Sequence, residues 1–258
     1  MEPFSAHNIE LAGQERTIPG DDRLLVEFPL SRSMFRTVSA LVGAPGDGAT
    51  GARPRLVDIG CLEGGYTVAF ARMGFDAVGI EARATNIAKC RYVAERLDLP
   101  NLEFHQADAR DIEAYGPFEV AFCCGLLYHL DQPTAFLEAL GRSTRRLLVL
   151  DTHYASEKLP TRPDLADHLT ELTEHEGKLG RWYEEFPEGT PFEDMERHVW
   201  SSYGNHRSFW IEKKHLLQTI LDVGFDNVYE QFDYLRGITE DPWMEEQGRG
   251  LFVAVKTV

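Results

Sequence analysis

The sequence predicts a doubly wound α/β fold with a mostly parallel sheet of seven strands and an antiparallel last strand. Two observations carry this. From about Arg55 short β-branched or apolar runs alternate with longer stretches of helical period, the pattern of parallel strands covered by helices. The last two strand-like runs are joined by Asp233 to Gly250, which holds Gly237, Asp241-Pro242 and Gly248-Arg249-Gly250 and no sustained apolar period. A parallel crossover needs a dozen or more residues and normally a helix, so the last strand returns antiparallel.

Leu56 to Gly60 reads as the buried first strand and Gly64 to Met73 as its helix, with Val68, Ala69 and Ala71 inward. Ala77 to Glu81 is the second strand. The helix from Ala84 to Leu97 is stopped by Asp98-Leu99-Pro100. Leu102 to Gln106 and Phe118 to Cys124 are the third and fourth strands, Pro133 to Leu140 the next helix, and Arg146 to Asp151 the fifth strand. After a long interruption come a helix from Lys213 to Val223, closed by Gly224, and two strands, Asn227 to Phe232 and Leu251 to Val255.

Residues 1–50 precede the sheet as an extension with one cap helix, about Ser31 to Val42, and Gly43 to Gly48 form a flexible join to the domain at 51–258. The segment 155–209 interrupts the sheet after the fifth strand. Loops this long in a compact domain are usually functional, and we read it as a substrate lid with Gly177, Gly180 and Gly189 as hinges.

Composition narrows the function. Lys and Arg number 26 against 42 Asp and Glu, a formal charge of −16, which repels phosphate backbones and anionic headgroups. No apolar run approaches the ~20 residues of a bilayer span, and Met1-Glu2-Pro3-Phe4 carries acid where a signal peptide carries base. Four cysteines, Cys61, Cys90, Cys123 and Cys124, form no C-x-x-C pair. The expectation is a cytoplasmic protein with neither membrane nor nucleic-acid partners, and a homo-oligomer is left open.

Ligands of an open α/β sheet bind beyond the carboxyl ends of its strands, where the first turn lets them approach bare backbone. Here that turn is Asp58-Ile59-Gly60-Cys61-Leu62-Glu63-Gly64-Gly65. Its glycine spacing is not the G-x-G-x-x-G of a dinucleotide site, and Asp58 and Glu63 repel a pyrophosphate while suiting an ammonium or sulfonium. Glu81, ~20 residues after the turn, is placed to accept both ribose hydroxyls. Asp108 follows the third strand, where a carboxylate can accept from an exocyclic amine.

On these residues the sequence resembles the class I S-adenosylmethionine-dependent methyltransferases, over roughly Arg55 to Leu150, and the closing strand pair extends the likeness to Val258. The resemblance implies a seven-stranded Rossmann-like methyltransferase sheet with S-adenosyl-L-methionine as cofactor. It implies that Asp58, Gly60 and Gly64, with Cys61 and Glu63, line the methionine end, Glu81 and Ala82 the ribose, Asp108 and Ala109 the adenine, and that Gly125 completes the set. Leu62 stands where the family usually has its middle glycine, which puts the path of the turn in question.

After the fourth strand, Gly125-Leu126-Leu127-Tyr128-His129-Leu130 resembles the G-x-L-Y-H segment of a subset that includes tRNA wobble-uridine carboxymethyltransferases. Methyl transfer from a sulfonium needs alignment, plus a base when the acceptor is a hydroxyl or protonated amine. His129 suits that role because a free imidazole changes charge near neutral pH, and His153 competes for it. Tyr128 is read as placing its ring or hydroxyl near the sulfonium. Between Glu157 and Arg197 the lid has twelve acids against five bases, and Trp182, Tyr183, Phe186, Phe192, Trp200 and Tyr203 are interleaved with them and beyond. That suits a small organic acceptor and opposes nucleic acid. The stretch Ser202 to Trp210 is rich in hydrogen-bonding side chains, with Arg207 read as an anion contact. No histidine pair has the helical spacing and supporting acid of a zinc site, so no metal ligands are assigned, and a Mg²⁺ in the acidic lid is left open. The function expected is methylation of an O or N atom of a small metabolite. A tRNA-modifying enzyme and a non-catalytic cofactor-binding subunit are the alternatives.

Overall fold

The computed structural model describes residues 2–43, 53–233 and 248–257. Most of the join after Gly43 and most of the final connection fall outside these. The described chain has helices α1 (Pro29–Val42), α2 (Gly65–Arg72), α3 (Ala84–Leu97), α4 (Pro133–Ser143), α5 (Pro163–Ala166), α6 (Phe192–Arg197) and α7 (Lys213–Asp222). Its strands are β1 (Arg55–Ile59), β2 (Asp76–Glu81), β3 (Leu102–Gln106), β4 (Phe118–Cys124), β5 (Thr144–His153), β6 (Thr173–His175), β7 (Lys178–Glu184), β8 (Arg207–Ile211), β9 (Asn227–Glu230) and β10 (Arg249–Val255).

Seven strands form one sheet in the order β3-β2-β1-β4-β5-β10-β9. β1 is parallel to β2 and to β4, and β2 to β3, while β9 and β10 pair antiparallel, with Phe252 opposite Glu230 and Val255 opposite Asn227. The expected fold class and closing strand pair are therefore found. Interior strands of such a sheet are covered on both faces and read as continuous apolar runs, and Leu56 to Ile59 are all buried. The edge strand β3 is only partly covered.

The chain divides into two compact units, Met1–Phe122 with Thr144–Leu147, and Cys123–Ser143 with Leu148–Val258. In the first, edge-on rings fill the core: Phe70 lies 5.2 Å from Phe35 and 5.1 Å from Phe122. Gly79 and Gly64 admit the ring of Phe104, which a Cβ at either position would meet at 2.5 and 2.7 Å. α1 starts two residues before the expected Ser31, because Pro29 supplies a first-turn residue with φ already set.

In the second unit the segment read as a lid contains a three-stranded antiparallel sheet, β6-β7-β8. Two residues join β6 to β7, Glu176 at φ 50° and Gly177 at φ 69°, with His175 paired to Lys178. Two successive left-handed residues make the turn that matches strand twist. The Glu176 carboxylate accepts the backbone N–H groups of Thr134 (2.9 Å) and Ala135 (3.0 Å), capping α4. Gly180, read as a hinge, is a packing position: a Cβ there would sit 2.3 Å from the carbonyl oxygen of Trp210. β5 runs on to His153, so that histidine ends the strand instead of lying beyond it.

Candidate active site

The residues expected to hold the cofactor, Gly125 apart, lie in the first unit. The turn after β1 keeps a left-handed path at Gly60 (φ 70°), Leu62 (φ 53°) and Gly64 (φ 82°). Leu62 thus adopts the backbone a glycine takes freely, a conformation costing a non-glycine residue about 1 kcal/mol or more. Neighbours hold it there. Its N–H donates to Glu81 Oε2 at 3.0 Å, and its carbonyl accepts from Cys90 Sγ at 3.3 Å. The N–H groups of Gly60 and Cys61 both donate to the Ile80 carbonyl.

Glu81 is buried at the end of β2, and its other oxygen accepts the N–H of Arg83 at 2.9 Å. Burial pushes its carboxyl up, against the pull of those donors and the Arg83 charge. Asp58, also buried, accepts Thr67 Oγ1 at 2.6 Å, and burial raises its carboxyl to about 7 despite that bond. Each carboxylate retains lone pairs for a ligand. Ala82 is half-buried beside Glu81, and its carbonyl accepts from Gln106.

Asp108 and Glu63 are more heavily engaged. Asp108 accepts the Arg110 backbone N–H (2.9 Å) and its guanidinium Nε and Nη2 (2.9 and 2.7 Å), which together hold the carboxyl below its usual range against a burial effect that would raise it. Ala109 is buried and opens a short 3-10 turn. Glu63 turns away into a buried ion pair with Lys89 (2.8 Å) and accepts the N–H groups of Ser5, Ala6 and His7. His7 in turn accepts the Gly65 N–H through Nδ1 at 3.0 Å.

The acceptor-side residues lie in the second unit. Gly125 (φ 78°) donates its N–H to the Asp151 carbonyl. Tyr128 stacks obliquely on His129, with centroids 4.2 Å apart, and meets His153 edge-on at 4.7 Å. The structure therefore brings Tyr128, His129 and His153 into one cluster. Burial raises the Tyr128 hydroxyl to about 12, with Arg249 opposing, so it stays protonated. His153 stacks on Trp210 (4.6 Å, 15°), which stacks on Tyr183 (4.9 Å, 8°) and donates its indole N–H to the Tyr128 carbonyl.

His129 Nδ1 donates to Glu185 Oε1 at 2.7 Å. The Glu185 side chain, 2% exposed, also accepts Ser208 Oγ (2.8 Å) and the Ser202 N–H (3.2 Å), and Asn205 donates to the His129 carbonyl. A carboxylate on Nδ1 fixes the tautomer and leaves Nε2 as the proton acceptor. Beneath Tyr128, buried Asp151 holds Arg249 through two bonds of 2.9 and 2.8 Å.

Arg207 does not join this cluster. Successive side chains of a strand alternate faces, so Ser208 and Trp210 meet Glu185 and His153 while Arg207 points the other way, its guanidinium 4.3 Å from the ring centroid of Trp182. It borders a groove of about 640 Å³ shared with Asp167, Glu184 and Glu188. Among the described residues no group of three His, Cys, Asp or Glu gathers to hold a metal, and no helix is long and apolar enough to cross a membrane.

Glu185, Arg249, Lys89 and His7 escaped the sequence reading as site residues. Ser202 to Trp210 stood out for its hydrogen-bonding side chains, and it supplies Ser202, Asn205, Ser208 and Trp210 to the His129 cluster. Glu185 offered no signal among so many acids.

Residues 56–147 match the sequence profile of a methyltransferase-domain family. The ubiquinone biosynthesis O-methyltransferase of Cereibacter sphaeroides is 36% identical over 86 residues, 33% of this chain and 34% of that protein. The chain thus spans about a third of the length of the curated relatives it matches. The N-terminal domain of EvdMO1, crystallised in the presence of SAH and D-fucose, superposes with a TM-score of 0.66 at 22% identity, covering 97% of this chain and 90% of that one. Magnesium protoporphyrin IX methyltransferase from Synechocystis PCC 6803 with bound SAM gives 0.50 at 15% identity, over 92% and 87% of the two chains. These two structures share the fold.

Proposed function

We propose that this chain, whose residues 56–147 match a methyltransferase-domain profile, moves a methyl group from S-adenosylmethionine to an oxygen or nitrogen of a small organic acceptor. The observation that carries the reading is the turn after β1. It has left-handed backbone at three positions and buried Asp58 and Glu81 beside it, a setting hostile to a pyrophosphate and suited to a ribose and a cation.

S-adenosylmethionine, when bound, would supply an electrophilic methyl, with sulfur as the leaving group that keeps the electron pair. Glu81 would accept hydrogen bonds from the ribose hydroxyls, and Asp58 would lie toward the cationic end. His129 takes the acceptor's proton at Nε2 as the new bond to carbon forms, and Glu185 stabilises the imidazolium that results. Arg207, on the opposite face of its strand, is left out of this step. A small acceptor agrees with the O-methyltransferase relatives and with the acidic insertion, whose charge opposes RNA.

The test is incubation with methyl-labelled S-adenosylmethionine and a panel of phenols, sugars, carboxylic acids and amines, alongside transfer RNA. Label on a small molecule is expected. Label confined to the RNA, or uptake of NAD or FAD with indifference to S-adenosylhomocysteine, overturns the reading.

A further inference from the structure

Three consecutive backbone N–H groups, those of Ser5 (3.0 Å), Ala6 (3.0 Å) and His7 (2.8 Å), converge on the carboxylate of Glu63. Converging main-chain amides form a concavity that binds anions. Here the anion is internal, with Lys89 Nζ 2.8 Å from the same carboxylate; the two side chains are 2% and 4% exposed. A second clasp lies beside it. His7 accepts the N–H of Gly65, the first residue of α2, and a Cβ on Gly65 would meet Leu25 at 2.5 Å and His7 at 2.9 Å, so the segment is pressed directly onto the turn.

The segment is braced for this. Thr17 Oγ1 donates to the His7 carbonyl (2.7 Å) and accepts the Ile9 N–H (2.8 Å), and the Asn8 side chain bonds the backbone of Ile18, Asp21 and Arg23. Between the clasps and Glu81 lies Leu62 with its left-handed backbone. Glu81 restrains the turn from β2, and the N-terminal segment restrains it from the other end, through Glu63 and Gly65.

We infer that Ser5–His7 and Glu63 form a latch that sets the turn Gly60–Gly65 for the methionine end of the cofactor, which makes Glu63 a positioning residue and the N-terminal segment a working part of the cofactor site. The inference rests on the cofactor named in the proposed function. It replaces the expectation that Glu63 touches the cofactor: the carboxylate is already filled by five donors, three backbone N–H groups, Ser5 Oγ and Lys89 Nζ. It also gives the N-terminal extension a role more specific than a cap.

The experiment compares the full chain with Glu63→Gln and with Ala6→Pro, which deletes one of the three amide donors and leaves the Glu63–Lys89 pair intact. Trypsin cleavage at Arg16 and Arg23 reports release of the segment, and calorimetry reports binding of S-adenosylhomocysteine and of adenosine, which lacks the methionine end. Both variants are expected to be cleaved at least tenfold faster and to bind S-adenosylhomocysteine at least tenfold more weakly, with adenosine affinity within twofold. A general loss of structure would weaken both ligands alike and counts against the latch. If Glu63→Gln fails to fold, Ala6→Pro decides. Unchanged cleavage, or faster cleavage with S-adenosylhomocysteine affinity within twofold, overturns the latch while leaving the cofactor intact. Failure of the unmodified chain to bind S-adenosylhomocysteine overturns the proposed function itself, and the inference with it.

Discussion

The imidazole of His129 and the carboxylate of Glu185 are held 2.7 Å apart, 56 residues from one another in sequence. Ser208 and the Ser202 amide fix the acid, so the ring's orientation is set before any acceptor arrives. Glu185→Gln keeps the shape but offers Nδ1 a group that can donate, which selects the wrong tautomer. Under the proposed function kcat falls by about 10²–10⁴ with little change in acceptor KM, read in steady-state rates at saturating and limiting acceptor.

His129→Ala and His153→Ala separate the two candidate bases. His153 is stacked against Trp210 and edge-on to Tyr128, a position in a wall. Single-turnover methyl transfer is expected to fall by about 10²-fold or more for His129→Ala and by a much smaller factor for His153→Ala. Equal rates for the unmodified chain and His129→Ala would transfer the role elsewhere.

Two buried groups give opposite slopes of stability with pH. The Asp58 carboxyl is raised by burial to about 7, so between ~4 and 7 the folded chain holds a proton that the unfolded chain has lost, and this group's contribution falls as pH rises. His7 is lowered by burial to about 4, with the Glu63 charge opposing; between 4 and ~6.5 the unfolded chain holds the extra proton, and stability rises with pH. Relative to the unmodified chain, Asp58→Asn should make stability climb more steeply with pH from 4 to 7, and His7→Gln should make it climb less. Urea unfolding at half-unit pH steps measures both.

Asp151 is 1% exposed and carries both bonds to Arg249. The Arg249 side chain keeps 28% exposure, so Asp151→Asn leaves it partly solvated and should cost about 1–3 kcal/mol in denaturant unfolding. A loss below ~1 kcal/mol would mean that water reaches Arg249 freely.

Gly180→Ala forces a methyl against the Trp210 carbonyl and the Phe209 ring, and should cost about 1–3 kcal/mol. At Gly189 a Cβ meets nothing within 4 Å, and only its φ of 85° resists, for about 1 kcal/mol. Thermal melts of the two variants compare packing with backbone strain.

Strands and helices were legible where burial imposes a period: α3 and β4 lie where their apolar patterns place them. The cofactor turn was legible because glycines and acids at strand ends are local signals. The small sheet of the insertion was not, since β6 has three residues and its strands draw on aromatic and charged residues without a clean alternation. Glu185 and Arg249 were hidden for another reason. Their partners lie 56 and 98 residues away, and no pattern along the chain marks which acid or arginine will be buried opposite which neighbour.

Glu81 spends one oxygen on the Leu62 amide and the other on that of Arg83. Nucleoside preference and loop shape are therefore tied to a single side chain. Redesign toward a phosphorylated ribose by exchanging this acid for a base would also release the leucine from its unfavourable backbone, so altered selectivity would need a compensating glycine two positions after Gly60.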